Sequence, residues 1–168
     1  HFKEVVDIGF KTLRRAPQIN LSVSPFIPKP HTPFQWLKME EEANLMEKYK
    51  FLKSRLKRQP AVNFKKNPLK SSVLEGVFSR GDRRLSRVLF ESWAKGARFD
   101  SWNECFDFGL WQEAFQSNDI DYNLYLMALD KESVLPWDHI DTGFKKSFLL
   151  SELERAMNEE QTLSCLDS

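Results

Sequence analysis

Four prolines crowd into residues 25–33 of this 168-residue chain, directly after a short alternating segment. Apolar and polar residues alternate over residues 19–24, a pattern typical of a strand with one apolar face. Proline fixes φ near about −65° and disfavours helical geometry in the residue before it, so an extended, rigid loop is expected after this strand. Three side chains of this loop and its end are of types that bind ligands: Lys29, His31 and Trp36.

Most of the remaining periodicity is helical. Residues 2–13 have the stripe of an amphipathic helix, which Pro17 ends. The following helix begins either at Pro33, where Thr32 and Gln35 have capping-box spacing, or within residues 38–42. Later helices are predicted at roughly 70–79, 83–95, 108–117 and 145–157, and a second short strand at 61–65. The expected fold class is α+β, mainly α-helical, with one or two short strands.

Two interpretations stay open for the segment Arg80-Gly81-Asp82-Arg83-Arg84. In the first, the segment is a turn between helices, in which Asp82 caps the next helix and the arginines face solvent. In the second, guanidinium groups bind a phosphate or a carboxylate, because their forked geometry suits bidentate contact with such anions. The anion-contact candidates are Arg80, Arg83 and Arg84.

A third segment places two carboxylates around one imidazole, in Trp137-Asp138-His139-Ile140-Asp141. Trp137 and Ile140 are expected in the core, with the aspartates capping turns. A metal site formed by the two aspartates and His139 is the alternative, although three ligands so close in sequence rarely satisfy a metal's geometry alone. No catalytic residue and no metal ligand is assigned in this chain.

Three segments taken in order, Asn20 to Trp36, Ser79 to Leu85 and Leu135 to Gly143, resemble radical S-adenosylmethionine proteins. The similar subgroup is often described as iron–sulfur oxidoreductases with a cobalamin-binding-like front domain. The resemblance implies that residues 1–36 are the remnant of a (β/α) barrel and that residues 37–168 form a mainly helical C-terminal domain. It implies that the chain completes the barrel and shapes the substrate site. The substrate-binding residues are then expected to be Lys29, His31, Trp36, Arg80, Arg83 and Arg84.

The cysteines limit what this chain can do by itself. The family binds a [4Fe–4S] cluster through a Cys-x-x-x-Cys-x-x-Cys loop, whereas this chain has only Cys105 and Cys165. We therefore expect a fragment of a longer parent protein, with no cofactor of its own and no catalytic activity alone. The [4Fe–4S] cluster and S-adenosylmethionine are expected in the parent, whose missing N-terminal barrel domain is the expected partner.

Charge is divided unevenly along the chain. Residues 1–98 carry 21 Lys and Arg against 9 Asp and Glu, and residues 99–168 carry 4 against 15. The acidic half can neutralise the basic half, or the basic half can bind a polyanion. The alternative function is therefore a helical RNA- or protein-binding module that uses the basic face of residues 38–98.

The last two expectations concern the solubility of the chain and the pairing of its first strand. The 29% of charged residues and the absence of any run of 18 apolar residues favour a soluble, cytoplasmic protein without a membrane partner. The strand at 19–24 has open edges, so it is expected to pair with residues 61–65 or with another copy of the chain.

Overall fold

The computed structural model describes residues 2–13 and 17–162, and Cys165 therefore lies outside the described residues. The fold is α+β and mainly α-helical, as the sequence predicts. The elements in order are α1 (Phe2–Leu13), β1 (Ile19–Val23), α2 (Glu42–Leu56), β2 (Val62–Lys66), α3 (Leu69–Arg80), α4 (Leu85–Ala94), α5 (Phe108–Ser117), a 3₁₀ helix (Tyr122–Leu126) and α6 (Lys146–Met157).

The chain divides into two compact units. Unit 1 comprises the residues up to Phe26 together with Glu40–Ser72, and unit 2 comprises Ile27–Met39 together with the chain from Val73 onward. The proline-rich loop therefore belongs mostly to unit 2. The boundary expected between residues 36 and 37 separates a barrel remnant from a helical domain, and it is a different division from these two compact units. It stays a prediction.

Unit 1 contains a β-α-β module. Strands β1 and β2 pair in parallel, with Ile19 opposite Val62 and Val23 opposite Lys66. Their apolar residues are half-buried and alternate with exposed polar ones, because successive side chains of a strand point to opposite faces. Leu45 and Tyr49 are the buried residues of α2, the helix that connects the two strands. The expected pairing of residues 19–24 with 61–65 is confirmed.

Unit 2 has two apolar clusters. The larger cluster is formed by α3, α4, α5 and the loop residue Met39, with fully buried Val77, Val88 and Ala114 at its centre. The smaller cluster joins the end of the proline-rich loop to α6, and its buried members are Trp36, Leu135, Trp137, Leu149 and Leu153. Burial of these side chains supplies the main driving force for folding this unit.

Helix ends follow local rules where a single residue decides them. Gly96 has φ of 108°, which only glycine adopts readily, and it ends α4 as predicted. The Asp107 carboxylate accepts the amide N–H of Gly109 at 2.8 Å, the predicted N-cap of α5. Asp82 accepts the amide N–H of Arg84 at 2.9 Å, although α4 itself begins at Leu85.

Of the two predicted starts for the helix after the loop, the one within residues 38–42 is confirmed, since α2 begins at Glu42. The other start and one expected core position are wrong. No helix begins at Pro33, since the side-chain oxygen of Gln35 is used by the backbone of His31 and the indole of Trp137 instead of a capping box. Ile140 is exposed rather than in the core. In both places a distant contact or a turn overrides the local pattern.

Phe115 and Phe90 form a matched pair for testing the core of unit 2. The side chain of Phe115 is 1% exposed and that of Phe90 is 69% exposed. We expect Phe115→Ala to lower the free energy of unfolding by about 3–5 kcal/mol, because it leaves a cavity. Phe90→Ala is expected to change it by less than about 0.5 kcal/mol. Urea denaturation measures both, and equal effects would show that this cluster is not the core.

Candidate functional site

Gln35 connects two of the three segments that carry the family resemblance. Its side-chain oxygen accepts the backbone N–H of His31 at 2.9 Å and the indole N–H of Trp137 at 2.7 Å. The amide is buried, so these two hydrogen bonds replace those that water would make. The proline-rich loop is thereby attached to the third segment, 102 residues further along the chain.

The three loop residues predicted to bind substrate have different environments. The Lys29 ammonium pairs with Glu75 and donates to the Ser79 hydroxyl at 2.8 Å. His31 has φ of 55°, and its buried Nε2 has no hydrogen-bond partner in the described part of the chain. Trp36 packs in the smaller cluster. Substrate contact by these residues stays a prediction, with Lys29 the most accessible of them.

Arg80 is a buried arginine at the end of α3. Only 3% of it is exposed, and its guanidinium donates to the carbonyl oxygens of Leu37 at 3.1 Å and Met127 at 2.8 Å. Burial lowers the pKa of Arg80, although an arginine stays charged in proteins. Its Nε has no partner among the described residues. Arg80 therefore holds two chain segments together and keeps one donor unused.

Arg84 is engaged by its neighbour Asp82. Its Nε and a terminal nitrogen donate to the Asp82 carboxylate at 3.0 and 2.7 Å. The hydrogen bond from Arg84 lowers the pKa of Asp82, and the same pair raises the pKa of Arg84. The Arg84 guanidinium also lies 5.8 Å from the centroid of the Tyr125 ring, within cation–π range. Burial is the main cause that raises the pKa of Tyr125.

Arg83 is the predicted anion contact that is free to act. It is exposed, and within the described residues its guanidinium makes no hydrogen bond or ion pair. Arg87 follows one helical turn later, is also exposed and lines the same cavity as Arg83. Two guanidinium groups at this spacing can contact one anionic group together.

Residues 80–84, which we call the arginine turn, border three neighbouring cavities of unit 2. A cavity of about 260 Å³ lies between Arg80, Arg84 and Tyr125, with Asp119 and Asp121 also in its wall. A second cavity is lined by Arg83, Arg84 and Arg87, with Asp119 also in its wall. A third lies between Gly81–Arg83 and the segment from Val134 to His139. The second and third segments of the resemblance therefore share one concave surface.

The aspartates of the third segment cap turns within that segment. The Asp138 carboxylate accepts the backbone N–H of Leu135 at 2.9 Å, and that of Asp141 accepts Gly143 N–H at 2.8 Å, as expected for capping residues. Within residues 2–13 and 17–162, no group of three His, Cys, Asp or Glu side chains is arranged to hold a metal ion. The arrangement of the site suits binding of an anionic group more than proton transfer.

Sequence analysis missed Gln35, Arg87 and Tyr125 as parts of this region. Arg87 had a usable signal, since it lies four residues after Arg83 and α4 was predicted there. Gln35 was assigned to a capping box, and its true partner Trp137 lies too far away in sequence for local spacing to indicate. Tyr125 gave no local signal.

Comparisons with known proteins add one distant relative. No family model matches the chain, and no solved structure matches it significantly. An uncharacterized protein of Methanocaldococcus jannaschii is 28% identical over 88 residues, which are 52% of this chain and 19% of that protein. The matched part of this chain thus spans about a fifth of the length of that relative.

Removing the Arg80 guanidinium tests its structural role. Arg80→Met removes the donors to the carbonyl oxygens of Leu37 and Met127 and the buried charge between them, so we expect the free energy of unfolding to fall by about 2–4 kcal/mol. Arg83→Met, an identical change at an exposed position, is expected to cost less than about 0.5 kcal/mol. Thermal and urea denaturation would measure both, and a neutral Arg80→Met would refute the bridging role.

The ion pair of Asp82 predicts a pH dependence. Because its pKa is lowered in the folded protein, Asp82 stabilises the fold above the ordinary aspartate pKa of about 3.9. This contribution is lost as the pH falls through the lowered pKa. The pair is partly exposed, so the effect is at most about 1 kcal/mol.

Asp82→Asn should therefore be less stable than wild type at neutral pH, and the difference should shrink and disappear as the pH falls through the lowered pKa of Asp82. Asp119→Asn is the control, because Asp119 borders the same cavity and makes no ion pair among the described residues. Urea unfolding across this pH range measures the effect. Identical pH profiles for the two variants would contradict it.

Proposed function

We propose that this chain is the C-terminal part of a radical S-adenosylmethionine enzyme of the iron–sulfur oxidoreductase type. The observation that carries this proposal is that the second and third segments meet residues 27–36 of the first within unit 2. They do so through the Gln35–Trp137 hydrogen bond and the cavity shared by residues 81–83 and 134–139. If the three segments build one site in this family, a protein of the family is expected to contain all three of them.

The β-α-β module supports the barrel part of the proposal. Parallel strands joined by a helix are the repeating unit of βα barrels, and parallel sheets normally occur with several strands and both faces covered. Here β1 and β2 form a sheet of only two strands in the described part of the chain. In the parent, further strands would continue this sheet, and the N-terminal barrel domain would be the partner.

Unit 2 would shape the substrate site. Arg83 and Arg87 offer free guanidinium groups at a concave surface, whereas Arg80 and Arg84 are held by carbonyl oxygens and by Asp82. An anionic group of the substrate is the ligand that this arrangement favours. These residues position a substrate and take no part in radical chemistry.

The residues of this chain do not fit an iron–sulfur cluster. Such a cluster needs several thiolates, and Cys105 is an isolated, exposed thiol in the part of the chain that the structure describes. The cluster and S-adenosylmethionine would therefore belong to the rest of the parent, and the isolated chain would not catalyse.

None of the described helices has the length and apolar character needed to cross a bilayer. We include a cytoplasmic location of the protein in this proposal.

The reading frame that encodes this chain tests the proposal directly. We expect it to encode Cys-x-x-x-Cys-x-x-Cys upstream, in a barrel of alternating strands and helices. The purified parent should bind iron and sulfide and, with a reductant, form 5′-deoxyadenosine from S-adenosylmethionine. The isolated chain is the matched control and should form none.

Two outcomes would overturn the proposal. One is a reading frame without the three-cysteine loop. The other is a parent that has the loop but neither binds iron nor cleaves S-adenosylmethionine under reducing conditions. Activity of the isolated chain would refute the assignment of the cofactors to the rest of the parent.

A further inference from the structure

Unit 1 contains a long stretch of chain with positive charge only. Residues 48–70 include nine Lys and Arg and no Asp or Glu. Across the whole of unit 1 there are 13 Lys and Arg against 6 Asp and Glu, whereas unit 2 has 12 against 18. The charge asymmetry of the sequence is therefore concentrated on the β-α-β module, and in particular on α2 and β2.

The basic side chains of α2 lie on the part of the helix surface that is not buried. Leu45 and Tyr49 form the buried face, while Lys50, Lys53 and Lys57 recur at three- and four-residue steps and are exposed. Residues with this spacing lie along one side of a helix. Arg58 extends the positive charge into the next turn, whereas Lys65 lies on the face of the sheet that α2 does not cover.

Acidic neighbours neutralise only part of this charge. Lys48 pairs with Glu40, and Lys70 pairs with Glu42 at 2.7 Å. Arg55 and Lys66 lie over the rings of Phe51 and Tyr49. The basic surface, as we call it, consists of the α2 and turn cations with no ion pair, hydrogen bond or ring contact among the described residues, which are Lys50, Lys53, Lys57 and Arg58. Its charge therefore stays available for a partner.

This arrangement carries an energetic cost in the isolated chain. Like charges three or four residues apart on a helix repel each other and destabilise it. Lys50–Lys53 and Lys53–Lys57 are two such pairs, with no acidic residue between them. The helix C-terminus offsets part of the cost by attracting cations. A bound polyanion would remove the remainder.

We propose that the basic surface of unit 1 binds the phosphate backbone of single-stranded RNA. Lysine and arginine replace the counterions condensed on phosphates, and the entropy of the released ions drives such binding. The surface belongs to unit 1 and requires neither the cofactors nor the substrate site of the proposed enzyme. It is an additional activity of this chain, independent of the proposed function.

Aromatic and amide side chains favour RNA over an acidic protein. Phe51 is 58% exposed, and the Arg55 guanidinium lies 5.3 Å from the centroid of its ring. An exposed ring beside cations is a platform on which an unpaired base stacks. On the polar face of the sheet, Asn63 donates to Asn20 at 3.0 Å, and their remaining amide groups can bond ribose 2′-hydroxyls. An anionic membrane is disfavoured, because Leu45 and Tyr49 of α2 are buried and cannot insert into a bilayer.

Fluorescence anisotropy with a labelled oligouridylate of about twenty nucleotides tests the proposal. For about four phosphate contacts, we expect the affinity to fall about fiftyfold as salt rises from about 50 to about 200 mM. The triple variant K50Q/K53Q/K57Q should bind at least about tenfold more weakly, with a salt slope lower by about 2. Phe51→Ala should weaken binding about fivefold or more without changing that slope.

The matched control is K11Q/K131Q/K145Q, which removes the same charge from exposed lysines elsewhere. It should bind RNA like wild type, and circular dichroism should show both triple variants folded. Loss of binding in the control as large as in the triple variant would overturn the proposal, as would binding that salt does not weaken. Equal affinity for polyglutamate of the same length, or for the matching DNA, would refute the assignment to RNA.

Discussion

The buried guanidinium of Arg80 is the constraint on which unit 2 most depends. A charge with only 3% exposure loses its hydration, and no carboxylate in the described part of the chain forms an ion pair with Arg80 to compensate for that loss. Two carbonyl oxygens do so instead, one at Leu37 and one at Met127. The end of α3, the end of the proline-rich loop and the residue after the 3₁₀ helix must therefore all take defined positions. Buried polar groups of this kind favour a single arrangement over alternatives with similar apolar burial.

Gln35 has a similar role two residues before Leu37. Its oxygen satisfies one backbone N–H and one indole N–H, so the smaller cluster can form only with the loop in its observed conformation. The prolines reduce the entropy lost when the loop is ordered. Together, Arg80 and Gln35 fix the loop from two sides, and the arginine turn lies beside it. The concave surface that borders the free Arg83 is a consequence of these two buried groups.

The sequence predicted the parts of this fold that short-range patterns determine. Alternation identified β1 and β2, and Gly96 and Asp107 indicated helix ends, because one residue's conformation or side chain decides each of them. It did not predict that Trp36 lies in the core, that Ile140 is exposed or that Gln35 bonds Trp137. These depend on contacts between segments about a hundred residues apart, for which spacing carries no information. At the site, Arg83 and Arg84 look alike in sequence, and Arg84 differs through a local pair with Asp82 and through its contact with the more distant Tyr125. Only the second of these contacts lies beyond what local spacing indicates.

The distribution of aromatic residues has a consequence for spectroscopy. All five tryptophans, Trp36, Trp93, Trp102, Trp111 and Trp137, lie in unit 2, whereas unit 1 contains Tyr49 and no tryptophan. Indole emission therefore reports the state of unit 2 alone, and far-ultraviolet circular dichroism reports the helices of both units. If the units unfold separately, the two signals will give different midpoints in the same denaturant series. A single sample can thus show whether the β-α-β module and the helical unit fold as one cooperative system.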